Sequence, residues 1–110
     1  MRTVNFTLPL PVEEQASRTA RLVRHLAARL NDFGPDGPEV LEADPARGFV
    51  AVRFPGHDPE SVLNQLNTQH AISAILDGDR AVFHLSPTIS FEDLDYTWGC
   101  LLELLWANQK

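Results

Sequence analysis

The stretch AISAILDGDRAVFHL, residues 71 to 85, restricts the fold more than any other part of the sequence. Two short apolar segments, AISAIL and RAVFHL, flank Asp77, Gly78 and Asp79, and an Asp-Gly pair between such segments signals a tight hairpin. Strands joined so closely run antiparallel. On the second segment Ala81, Phe83 and Leu85 point to one side, while Arg80, Val82, His84 and Ser86 point to the other. The apolar set is expected under helices, which leaves His84 on the open face or near the strand end.

The remaining segments extend this beginning. TVNFTL, residues 3 to 8, alternates as a half-buried strand, and Pro9 and Pro11 end it. A helix is predicted over about residues 12 to 33, with Val12, Ala16, Val23, Leu26, Leu30 and Phe33 on one stripe and Arg18, Arg21 and Arg24 opposite. NDFGPDGP, residues 31 to 38, is a loop inside one domain, because neither flank could form a core alone. EVLEA is a weak strand and FVAVRF, residues 49 to 54, a strong one. Asp58 as cap and Pro59 at the first position announce a second helix, with Val62, Leu63 and Leu66 as its apolar stripe. Ser90 caps the last helix, and Asp93 three residues on makes a variant capping box. Phe91, Leu94, Trp98, Leu101, Leu102 and Leu105 are predicted to form its buried stripe.

The order is therefore β-α-β-β-α-β-β-α over a single domain, residues 1 to 110. This is the α+β class, a single mostly antiparallel sheet with helices packed on one face. At 44% hydrophobic and 22% charged the chain has an ordinary globular composition. The formal charge of −6 argues against a general nucleic-acid binder, which needs a basic surface. A lone cysteine permits no internal disulfide and suits a reducing cytoplasm. No apolar run is long enough for a signal peptide or a membrane span. Met1 leads directly into a patterned strand, as expected of a natural start.

The second half resembles a known domain. Asp58 to Leu66, the Asp77-Gly78 turn, His84-Leu85-Ser86-Pro87, and Ser90-Phe91-Glu92-Asp93-Leu94-Asp95 are similar to segments of the C-terminal small domain of fold-type I, pyridoxal-phosphate-dependent aminotransferases and their desulfurase relatives. The resemblance implies a small domain standing without its large one. That family holds its cofactor on a lysine of the large domain. Here the sole lysine is Lys110, so no cofactor is expected and the chain on its own is not expected to be an enzyme. His84 stands where the family often has an arginine gripping a substrate carboxylate, and histidine lacks that bidentate fork.

Among candidate site residues, His84 and Ser86 could hydrogen-bond a small anion, although an idle, half-exposed histidine is the expectation. His25, His57, His70 and His84 are too scattered for a metal site, and Cys100 has no partner cysteine. Cys100 is expected to be a plain surface thiol, its pKa raised by Glu103. Arg18, Arg21, Arg24 and His25 form a basic helix face, expected to be solvated. Tyr96, Cys100 and Leu104 lie opposite the main stripe of the last helix, and this apolar rear face predicts a homo-oligomer or a protein partner. The function expected is a non-catalytic assembly or protein-interaction module, with no nucleic acid or membrane partner. Two alternatives stand beside it: an ACT-like regulatory module binding a small carboxylate or amino acid, and the small-domain half of a split transferase completed in trans.

Overall fold

A computed structural model describes residues 3–7, 16–33, 37–86 and 89–107, without the side chains of residues 16, 17, 106 and 107. The elements are β1 (Val4–Asn5), α1 (Ala16–Asn31), β2 (Glu39–Asp44), β3 (Phe49–Arg53), α2 (Pro59–His70), β4 (Ile72–Ser73), β5 (Ile75–Asp77), β6 (Arg80–His84) and α3 (Phe91–Ala107). The class is α+β, as the sequence predicts. Leu8, Pro9, Pro11 and Val12, the middle of the first loop, Pro87 and Lys110 lie outside the described residues.

Four strands form an antiparallel sheet in the order β2-β3-β6-β5. The segment expected as one strand over AISAIL is divided at Ala74. Its second part, β5, pairs with β6, while its first part, β4, pairs in parallel with β1. Phe6 joins the small sheet to the large one: its N–H donates to the Ser73 carbonyl at 2.7 Å, and its carbonyl accepts from His84 N–H at 2.8 Å. Gly78 at φ 66° supplies the left-handed backbone that the two-residue turn between β5 and β6 needs.

Alternation along the strands sorts the side chains as expected. Val50, Val52, Ala81 and Phe83 have no exposed surface and face the helices. They pack with Leu22, Val23, Leu26 and Leu30 of α1, Val62, Leu63 and Leu66 of α2, and Leu94, Leu101 and Leu105 of α3. Each such side chain contributes about 1.5–3 kcal/mol by leaving water. The helix ends follow the sequence closely. Asp58 accepts from Ser61 N–H at 3.2 Å, and the Ser90–Asp93 box is reciprocal, at 2.9 and 3.1 Å. α2 ends on Ala71, held left-handed at φ 56° and ψ 38° while its N–H donates to Asn67 and Leu66 carbonyls.

α3 departs from its predicted stripe. Phe91 is exposed, Trp98 and Leu102 are half-buried, and Thr97, Cys100 and Leu104 are buried instead. The reason is position: α3 packs against both α1 and α2, so a wide arc of its surface is covered. Between these two neighbours Cys100 and Leu104 are enclosed.

Candidate functional site

The helices lie on one side of the large sheet, and the strand register arranges the other side in three rows. The first is charged. Glu39 pairs with Arg53, and Asp77 pairs with Arg80 across the hairpin. Arg53 donates to Glu39 at 2.8 Å, and this bond, with the Glu39 charge, raises the arginine above its ordinary pKa. Arg80 has two carboxylates, Asp77 at 3.0 Å and Glu42 at 3.7 Å. The middle row is Ala51, Val82 and Ile75, with Glu42 at its β2 end. The third is Asp44, Phe49 and His84, with the two rings 6.1 Å apart.

These rows enclose an open depression of about 330 Å³ lined by Phe49, Ile75, Leu76, Asp77, Arg80, Val82 and His84. Its floor is apolar and its lining holds Asp77 and Arg80, with Glu42 standing beside the depression. The ion pairs of the face leave one carboxylate in excess, since Arg53 cancels Glu39, Arg47 faces Asp44, and Arg80 serves both Asp77 and Glu42. Leu41 and Leu76 sit at the sheet's two edges, 44% and 39% exposed. Leu41 is the extra residue of a bulge between Val40 and Glu42.

His84 lies on this face, half-exposed, as alternation requires. Ser86 does not join it: its side chain is buried, it is not part of the depression's lining, and its carbonyl accepts from Ile89 N–H at 3.0 Å. The two residues expected to share an anion are therefore not brought together at one surface. After His84 the chain turns inward, and both Leu85 and Ser86 are buried.

The predicted interface on α3 is corrected more sharply. Cys100 is 6% exposed and Leu104 4%, both within the chain's own core. Tyr96 packs against that core and donates its hydroxyl hydrogen to the His70 carbonyl at 3.3 Å. Cys100 is consequently no surface thiol. Burial pushes its pKa up, the hydrogen bond with Tyr96 opposes that shift, and the Glu103 charge adds to it.

The basic face of α1 is also more engaged than its sequence suggests. Arg18 donates to the Ile89 carbonyl at 2.8 Å. His25 Nε2 and Arg29 Nε meet the same Asp95 oxygen, at 2.9 and 3.1 Å, tying α1 to α3. The His25 bond is the main cause of a lowered Asp95 pKa. Arg29 also lies 5.3 Å over the Trp98 ring. Arg21 and Arg24 remain exposed.

A second depression, about 240 Å³, lies between α2 and the β4–β5 segment. Its polar lining is Glu60, Asn64, Asn67 and Ser73, with Asn67 already donating to the Ser73 hydroxyl at 3.0 Å. No group of three or more His, Cys, Asp or Glu that could hold a metal occurs among the described residues, and no helix there is long and apolar enough to cross a membrane.

Sequence reasoning missed Phe49, Asp77 and Arg80 as neighbours of His84. The signal was present in FVAVRF, where Phe49, Ala51 and Arg53 alternate with the core set. No family model matches this chain, and no curated protein does.

Proposed function

We propose that this chain is a non-catalytic protein-interaction module whose contact surface is the helix-free face of the four-stranded sheet. The observation that carries the reading is the three-row face itself. Phe49, Ile75 and Val82 form an apolar floor on the side away from the helices, bordered by Leu76 and by ion pairs. A mixed surface with an apolar centre and a charged rim suits a polypeptide partner. The resemblance to an aminotransferase small domain supports the same face, because a large domain would cover it there. A lysine-bearing partner chain on this face would form the split-enzyme version of the reading. An ACT-like site for a carboxylate is disfavoured by the excess carboxylate, since Arg80 already serves two acids.

The test compares tagged chains recovered from cells that express them. Ile75→Glu places a charge on the half-buried edge of the floor, and Arg21→Glu alters the exposed side of α1. With both variants melting as folded proteins, a co-purifying protein should be lost with Ile75→Glu and retained with Arg21→Glu. Loss with Arg21→Glu alone, or an identical set of proteins from all three chains, overturns the reading.

A further inference from the structure

We infer that the depression on this face receives an arginine side chain from an extended segment of the partner. The inference rests on the interaction reading above and assigns that partner's chemistry.

Charge complementarity gives the sign of the guest. Arg80 lies between Asp77, which lines the depression, at 3.0 Å, and Glu42 beside it, at 3.7 Å, so these two carboxylates share one cation. The Asp77 side chain is 60% exposed and accepts only from Arg80 among the hydrogen bonds of the described residues. Arg80 can keep Glu42 while an incoming cation takes Asp77.

Shape and surface give the kind of cation. Between Asp77 and the Phe49–His84 ring pair the floor is Ile75 and Val82, an apolar stretch suited to a methylene stem that ends in a polar head. A guanidinium fits a carboxylate through two parallel N–H bonds, whereas an ammonium is a more strongly hydrated point charge. The volume, about 330 Å³, is at the lower limit of ligand pockets and suits one long side chain better than a large cofactor. An extended segment is the natural carrier, because it presents alternate side chains to a flat sheet face.

The probe is a short, end-blocked peptide with a central arginine between threonine and valine residues. Its control carries citrulline, which keeps the shape and removes the charge. Binding is followed by amide chemical shifts of the isotope-labelled chain. The arginine peptide should move the resonances of Ile75, Asp77 and Val82, and the citrulline peptide should bind at least about tenfold more weakly, the ratio of a 1.4 kcal/mol contact. Asp77→Asn should remove that preference, while Glu60→Gln at the second depression should leave it intact. Equal binding of the two peptides, shifts that map elsewhere, or a preference that survives Asp77→Asn overturns the inference. If the peptides fail while a co-purifying protein still depends on Ile75, the interaction reading stands and only the arginine assignment falls.

Discussion

The two faces of the four-stranded sheet are built from the same strands yet are covered differently. On the covered face Val50, Val52, Ala81 and Phe83 have no exposed surface and meet apolar side chains from all three helices. On the free face their neighbours in sequence differ: Phe49 and His84 are half-exposed beside each other, while Ala51 and Val82 lie buried in the row between them and the charged residues. One residue of register separates the sets, and a slip by that residue would exchange them. The buried apolar packing of the chain thus belongs to one face, and the proposed binding belongs to the other.

The largest test of this division lies in the helical layer. Leu104→Glu buries an unpaired carboxylate in a site 4% exposed, at a cost of several kcal/mol. Since a domain of this size has only about 5–15 kcal/mol in hand, the variant should be largely unfolded by circular dichroism and urea titration. A folded, stable variant would mean that Leu104 faces a partner and not the core.

A sharper comparison uses adjacent residues of β6. Phe83→Ala should lower unfolding free energy by about 3–5 kcal/mol, because it opens a cavity beside Phe6, whose ring stands 5.1 Å away edge-on. His84→Ala, one residue on, should change it by no more than about 0.5 kcal/mol. Similar losses at both positions in the same denaturant titration would erase the distinction between the faces.

Within the layer that covers the sheet, Ala71 is a local conflict. Its left-handed conformation, φ 56°, costs an L-residue about 1–2 kcal/mol, partly offset by the chain entropy that glycine would add to the unfolded state. Ala71→Gly should stabilise the chain by about 0.5–1 kcal/mol, seen as a raised melting temperature.

The smallest expected effect concerns the link between α1 and α3. Asp95 has a depressed pKa in the fold, through His25 first and Arg29 after it, so its contribution is present above the unfolded carboxyl value of about 3.9 and fades as pH falls through its lower folded value. The pair is nearly half exposed, so Asp95→Asn should cost no more than about 0.5 kcal/mol near neutral pH. That difference should vanish in strong acid. A gap that persists or grows there would give Asp95 another role.

The fold was legible in the sequence where a signal is local. The Asp77-Gly78 turn, the Asp58 cap and the Ser90–Asp93 box each name a geometry within a few residues, and each is present. The alternation of RAVFHL placed His84 on the open face for the same reason. What sequence did not disclose depends on partners far along the chain. The apolar rear of α3 looked free because α2, which helps to cover it, lies more than twenty residues earlier, and its Tyr96 contact is to His70. The break of AISAIL into β4 and β5 has a similar origin, since it is Phe6, just past the first strand, that bonds to both Ser73 and His84. Of the candidate site, His84 was visible alone, while its neighbours Phe49 and Arg80 emerge only from strand register.

The central claim, that a partner covers the helix-free sheet face and not the last helix, is tested most directly by photo-crosslinking in living cells. A photoreactive side chain replaces Phe49 in one chain and half-buried Leu102 on α3 in another, with irradiation under identical conditions. The account predicts a discrete adduct of one mass from position 49 and none from position 102. An adduct from position 102, with nothing from position 49, would contradict it and return the interface to the last helix.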